Sequence, residues 1–99
     1  MHTIQHSPQA REDLIDVWGY IAIEKKSPDN ADRFLRKLES EFLKLAKSPM
    51  IGVVKDEFGK GVRGWPFGNC LIFYRPTEEG MELIRILNAN RNLGQKDFM

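Results

Sequence analysis

The stretch "VRGWPFGNCLIFYRPTEEGMELIRIL", residues 62–87, decides the fold of this chain. Its β-forming residues fall into three runs: Val62–Pro66, Cys70–Arg75 and Met81–Leu87. Two short segments separate the runs, Gly68-Asn69 and residues 76–80, and both are rich in the residue types that form turns. The pattern predicts three sequential antiparallel strands, with the strand that contains Pro66 at an edge or ending there.

Two helices are predicted before these strands. Ser7-Pro8 and Ser27-Pro28 each place a serine before a proline, which is typical of a helix N-terminus. The apolar residues that follow recur every three or four positions, up to Lys25-Lys26 in the first helix and up to Pro49 in the second. A short stretch around Ile4 is a candidate opening strand. The fold class is therefore α+β: an N-terminal strand and an antiparallel helix hairpin packed on a small, mainly antiparallel sheet.

The central run is apolar at every position from Cys70 to Tyr74, so both faces of its strand need cover. Strict alternation of side chains assigns six residues to one face of the last two strands: Leu71, Phe73, Arg75, Leu83, Arg85 and Leu87. Because this face carries two arginines, we expect it to be the more exposed one. Apolar residues beside arginines on an exposed face are typical of a partner-binding surface.

Composition excludes several classes of protein. The chain has 99 residues, which fits a single domain with one modest core. Fifteen basic and 14 acidic residues give a net charge of +1, too balanced for a general nucleic-acid or membrane binder. Cys70 is the single cysteine and excludes an intrachain disulfide, while His2 and His6 lack a metal-ligand pattern, so neither metal nor cofactor is expected. With no signal peptide and no membrane-spanning run, the expected location is the cytoplasm.

The stretch "GKGVRGWPFGNCLIFYRPTEEGMELIRILNANRN", residues 59–92, resembles the ParE branch of the ParE/RelE toxin superfamily, whose members belong to bacterial toxin–antitoxin modules. The positions that match the family pattern are Gly61, Arg63, Pro66, Gly68, Leu71–Arg75, Gly80, Glu82 and Ile84–Leu87. The segment "SPQAREDLIDVWGYIA", residues 7–22, is similar to the family's first helix. The last motif departs: the family commonly has His-Gly before an Arg-Asp pair, whereas Asn88, Ala89, Asn90 and Asn92 here surround a retained Arg91.

The resemblance implies a RelE/ParE-like fold and a toxin of a type II toxin–antitoxin system. ParE-like members inhibit DNA gyrase without chemistry of their own, and a cognate ParD-like antitoxin neutralises them. The toxic surface implied by the resemblance contains Arg63 and Arg91, with Trp65 and Phe98 as further candidates. The expected antitoxin-binding residues are Tyr20, Phe34, Leu38, Leu71, Phe73, Arg75, Leu83 and Arg85.

Two other functions remain open. RelE-like members resemble ribosome-dependent mRNA endonucleases, which need a group to take or give a proton. Residues 92–99 contain neither histidine nor tyrosine, so gyrase is the preferred target. The chain could also be a non-toxic interaction domain, with Arg63 and Arg75 carrying solvated charge and Trp65 closing the sheet edge against the helices. Arg85 is expected to pair with a carboxylate or with the antitoxin.

Overall fold

The computed structural model describes residues 2–88, so the predictions for Arg91 and Phe98 lie outside the described residues. The regular elements, in chain order, are β1 (Thr3–His6), α1 (Pro8–Gly19), α2 (Pro28–Lys47), β2 (Val53–Val54), β3 (Arg63–Phe67), β4 (Cys70–Thr77) and β5 (Gly80–Asn88). A π-helical turn, Tyr20–Glu24, continues α1, and single 3-10 turns, Pro49–Ile51 and Asp56–Phe58, flank β2. The predicted α+β class, with two helices before three strands, is confirmed.

Both helices begin at the predicted prolines. The Ser7 hydroxyl accepts a hydrogen bond from Ala10 N at 3.0 Å and donates to the Ile84 carbonyl at 2.7 Å. Ser7 therefore satisfies an amide in the first turn of α1 and also ties the start of that helix to β5. Ser27 makes no such side-chain cap, and its backbone carbonyl accepts from Ala31 N at 3.0 Å.

The five strands form one sheet in the order β1-β5-β4-β3-β2. The predicted antiparallel meander is β3, β4 and β5, and β1 pairs with β5 in parallel. Gly80 allows this parallel pairing, because a Cβ there would lie 2.8 Å from Thr3 N. β2 was not predicted, since two residues are too few to show a period. It forms the edge beyond β3, the strand that contains Pro66.

Apolar residues bury both faces of the sheet. On the face that the helices cover, the largest fully buried side chains are Tyr74, Phe42, Leu38, Leu45, Ile72, Met81 and Leu83. On the other face, Phe73 and Leu87 are buried with Val62, and the Phe58 ring stacks edge-on against Phe73 at 5.4 Å between centroids. The expectation that the second face is exposed was therefore wrong for Phe73 and Leu87. The segment before β3 covers part of it.

A β-bulge explains why the predicted faces of the last strand were also wrong. Tyr74 lies opposite Leu83 and Phe73 lies opposite Arg85, so Ile84 is an extra residue in β5. Strict alternation stops at this point. Leu83 consequently packs in the helix-side core while Leu87 lies on the other face. Arg85 is directed to α1 and does not share a surface with Arg75.

Candidate functional site

A groove of about 490 Å³ lies where the helix hairpin meets the ends of the strands. Val17, Tyr20, Ile21 and Phe34 line it from the helices, and Ile86 and Leu87 line it from β5. Tyr20 is exposed and Phe34 is half-buried, so two of the predicted antitoxin-binding residues meet here. The third helical candidate, Leu38, is fully buried in the core and does not reach the groove surface.

Asp13 and Arg85 form a buried ion pair at the wall of this groove. Asp13 Oδ2 accepts from Arg85 Nε at 2.8 Å and Asp13 Oδ1 accepts from Arg85 Nη2 at 3.1 Å. Asp13 Oδ2 also accepts from Ile86 N at 2.9 Å, which satisfies a backbone amide beside the bulge. The two side chains are 10% and 17% exposed. This planar, two-bond pair fixes α1 against β5, and it confirms the prediction that Arg85 pairs with a carboxylate.

Arg63 and Tyr74, which lie opposite each other on β3 and β4, together hold residues 49–52. Arg63 Nη1 donates to the Gly52 carbonyl at 2.8 Å and to the Met50 carbonyl at 3.2 Å. The Tyr74 hydroxyl donates to the Pro49 carbonyl at 2.6 Å and accepts from Gly52 N at 3.0 Å. We refer to Arg63 and Tyr74 as the loop clamp. Burial raises the pKa of the Tyr74 hydroxyl, opposed by the Gly52 amide and by the charge of Arg63.

The loop clamp holds a run of exposed aliphatic side chains. Met50, Ile51, Val53 and Val54 are 67%, 41%, 60% and 52% exposed. We call residues 50–54 the aliphatic platform. Sequence reasoning missed it. The segment "PMIGVV", residues 49–54, contains no charged residue, although it directly follows a highly charged helix.

A comparison with protein families identifies the family to which this chain belongs. The model of the family described as "ParE toxin of type II toxin-antitoxin system, parDE" matches residues 4–93, nearly the whole chain. The chain belongs to the ParE toxin family.

Two relatives of this ParE toxin and one solved structure support the assignment. "Toxin ParE1" of Mycobacterium tuberculosis, from strain CDC 1551 / Oshkosh and from strain H37Rv, is 33% identical over 92 residues, covering 88% of this chain and 93% of the relative. A chain from the structure titled "Chromosomal ParDE TA system from P. aeruginosa" superposes with a TM-score of 0.70 at 16% identity. It covers 91% of this chain and 98% of its own, which shows the same fold.

Two further candidate residues, Trp65 and Arg75, are engaged in local contacts. Trp65 Nε1 donates to Glu41 Oε2 at 2.7 Å, and Lys44 Nζ lies 5.0 Å from the centroid of the Trp65 ring. Trp65 therefore closes β3 against α2. Arg75 donates from Nε to the Lys60 carbonyl at 2.9 Å and pairs with Glu82 at 3.3 Å.

The structure divides the predicted residues of this toxin among several places. Of the toxic-surface candidates it describes, Arg63 and Trp65 share one side of β3, and both are half-buried. Of the antitoxin-binding candidates, Tyr20 and Phe34 lie in the groove, whereas Phe73 and Leu83 are buried on opposite faces of the sheet. The expectation that Phe73 and Leu83 are exposed was wrong. Half-buried Leu71 borders the second-face cluster.

Neither Cys70 nor His6 suggests a reactive centre. Cys70 is buried, and this burial raises the pKa of its thiol, which keeps it protonated. Burial lowers the pKa of His6, whose ring packs edge-on against Phe42. Within residues 2–88, three or more His, Cys, Asp or Glu side chains do not come together as a metal site. The same residues include no helix with the length and apolarity to cross a membrane.

Proposed function

We propose that this ParE-family toxin inhibits DNA gyrase, and so blocks replication, and that a cognate ParD-like antitoxin neutralises it. The observation that carries the proposal is the match to the ParE family over residues 4–93. The fold it shares with a chain of a ParDE toxin–antitoxin system supports an antitoxin as the neutralising partner.

The surroundings of Arg63 favour binding over cleavage. An mRNA endonuclease needs a side chain that can exchange a proton near its phosphate-binding residues. The titratable group opposite Arg63 is the Tyr74 hydroxyl, which is buried, bonded to Pro49 and Gly52, and has a raised pKa. It stays protonated at neutral pH and does not act as a base. His6 lies on β1, with β5 and β4 between it and β3.

The groove is the antitoxin site in this proposal. Its lining is more apolar than polar, and Asp16 and Lys25 add charges of both signs to it. An amphipathic helix or strand of the antitoxin would place its apolar side chains against Tyr20 and Phe34 and its polar side chains toward the rim. Arg75 and Leu71, both half-buried on the sheet, are further candidate contacts.

Supercoiling of relaxed plasmid by purified gyrase tests the proposal. The toxin is expected to abolish supercoiling and to cause linear, gyrase-linked DNA to accumulate. Arg91→Ala is expected to remove both effects, since the resemblance assigns Arg91 to the toxic surface. Folded toxin that leaves both readouts unchanged would contradict the gyrase target.

A translation assay separates the alternatives. Cell-free translation followed by primer extension is expected to show intact mRNA. Cuts within codons would instead establish a RelE-like endonuclease. Harmless expression in cells that lack the antitoxin would identify a non-toxic interaction domain.

A further inference from the structure

The aliphatic platform is an apolar surface with no cover from the described part of the chain. Its four large side chains, Met50, Ile51, Val53 and Val54, are each more than two-fifths exposed and nearly consecutive. Val53 and Val54 are successive residues of β2, so they present apolar surface on the two opposite faces of this strand. Single exposed apolar residues are ordinary on a protein surface, but contiguous ones mark places of interaction. The platform is therefore a candidate site for binding a partner.

The loop clamp makes this surface rigid before any partner arrives. The carbonyls of Pro49, Met50 and Gly52 and the amide of Gly52 are all bonded to Arg63 or Tyr74. The Tyr74 ring that anchors these bonds is fully buried. A surface that is already ordered loses little conformational entropy on binding, which is the property of a pre-organised binding site. Arg63 is thus a positioning residue for the platform.

The charges along this segment are of one sign. Residues 42–55 contain Lys44, Lys47 and Lys55 and no aspartate or glutamate. The nearest carboxylates along the chain are already bonded: Glu41 accepts from the Trp65 indole, and Asp56 accepts from Gly61 N at 3.0 Å. A partner that carries aspartate or glutamate beside its apolar residues complements this combination.

Within residues 2–88, no strand pairs with the outer side of β2. Lys55 N donates to the Val62 carbonyl at 2.8 Å, so the alternation of an antiparallel ladder directs the N–H and C=O of Val54 away from β3. β2 is also the terminal strand of the sheet. An extended segment of another protein can add there as a further strand.

Two other occupants fit less well. Single-stranded nucleic acid binds through aromatic residues that stack on its bases, and the platform side chains are all aliphatic. A second copy of this chain would bring the surface that carries Lys47 and Lys55 against an identical, equally basic surface, which opposes the contact. An acidic and apolar protein segment has neither problem.

We infer that the aliphatic platform binds an extended, acidic and apolar segment of the toxin's target protein, added as a strand beside β2. This rests on the proposed function, which supplies gyrase as the target. The groove proposed for the antitoxin is lined by Phe34, near the start of α2, whereas the platform follows Lys47 at the end of that helix. At 1.5 Å per residue these two positions are about 20 Å apart, so target and antitoxin contact different ends of the molecule.

Binding of the toxin to immobilised, complete gyrase tests the inference. Val54→Asp removes an apolar contact and puts a negative charge beside the acidic segment, so it is expected to weaken binding at least tenfold. Ile23→Asp is the control, because Ile23 is also an exposed aliphatic residue, at 70% against 52% for Val54, and lies in the π-helical turn away from the platform. Ile23→Asp is expected to bind as the wild type does. Equal binding by wild type and Val54→Asp would overturn the platform while leaving gyrase as the target.

A second experiment tests the platform independently of gyrase. It is needed if the wild type does not bind gyrase, a result that would contradict the proposed function. A random peptide library is displayed on phage and selected against the wild type, with Val54→Asp as the counter-selection. Peptides rich in apolar residues and in aspartate or glutamate, bound by the wild type and lost with Val54→Asp, would sustain the platform for another target. Peptides that bind both proteins equally, or no selected peptides, would overturn it.

Discussion

Two arginines on the strands that flank β4 show how one side chain serves two purposes. Arg85, beside the groove, meets the carboxylate of Asp13 with two bonds and is 17% exposed. Arg63, beside the aliphatic platform, meets the backbone carbonyls of Met50 and Gly52 and is half-buried. The first arginine holds an element of the fold in place, while the second holds a surface loop.

This difference predicts how mutations near each arginine affect stability. Loss of a buried ion pair leaves a charge without its partner, whereas loss of a bond to a loop carbonyl leaves a group that water can reach once the loop moves. Changes to the Asp13–Arg85 pair should therefore lower the free energy of unfolding of the whole protein. Changes to the loop clamp should loosen residues 49–54 and lower that free energy by less.

Asp13→Ala should have the largest effect on stability. It removes both bonds to Arg85 and the bond to Ile86 N, and breaking a buried pair costs about 3 to 5 kcal/mol. Urea unfolding measures the free energy, and Glu12→Ala, on the exposed side of the same turn, should change it by less than about 0.5 kcal/mol. Equal stability of the two variants would contradict a structural role for the Asp13–Arg85 pair.

Gly52→Ala should follow. A Cβ at this position would lie 2.8 Å from Tyr74 Cε1, and the Tyr74 ring is fully buried, so the overlap should cost about 3 kcal/mol. Gly19→Ala is the control, because Gly19 is helical and nothing lies within 4 Å of its added Cβ. It should raise stability by about 0.5 to 1 kcal/mol. Thermal unfolding that moved both variants in the same direction would contradict the close packing of Gly52 on Tyr74.

Tyr74→Phe should have a moderate effect that is concentrated in the loop. The change removes one donated and one accepted hydrogen bond and should cost about 1 to 2 kcal/mol. Hydrogen exchange should become faster at residues 49–54 while the amides of β4 and β5 keep their relative protection. Uniformly faster exchange throughout the chain would mean that the hydroxyl supports the whole core and not the loop.

The same variant tests the pKa of Tyr74. Because burial raises this pKa above the unfolded value of 10.0, the fold favours the neutral phenol. Its contribution to stability is complete below pH 10.0 and is lost as the pH rises through the folded pKa. The stability difference between wild type and Tyr74→Phe, followed by urea unfolding as the pH rises past this point, should shrink. A constant difference would contradict the raised pKa.

Glu82→Gln should have the smallest effect. Arg75 and Glu82 pair at 3.3 Å with both side chains exposed to solvent, and such pairs contribute about 0.2 to 1 kcal/mol. The effect should decrease further at high salt, because salt screens exposed charges. A loss comparable to that of Asp13→Ala would mean that exposure does not distinguish the two ion pairs.

The sequence predicted the elements that repeat over many residues. The serine-proline starts placed both helices, and the three β-forming runs placed β3, β4 and β5. It did not predict the bulge at Ile84, because pairing that skips one residue leaves no mark on composition. That single residue placed Leu83 on the helix side of the sheet while Leu87 stayed on the face of Leu71 and Phe73, and it separated Arg75 from Arg85.

The candidate site was predictable where side chains pair with side chains. A carboxylate partner for Arg85 was anticipated, and Asp13 supplies it from α1. The loop clamp was not anticipated, since Arg63 and Tyr74 bind backbone groups that every residue carries. The aliphatic platform was missed for a related reason: apolar residues in a sequence suggest core, and only the fold shows that Met50 and Val53 are exposed.

The measurement that tests this account most directly is the yield of gyrase-linked linear DNA when purified toxin is added to gyrase and relaxed plasmid, with and without an equimolar amount of its antitoxin. The account predicts that linear DNA increases with toxin concentration and disappears when the antitoxin is present. Linear DNA that fails to appear with folded toxin would contradict gyrase as the target, and linear DNA that persists with bound antitoxin would contradict neutralisation.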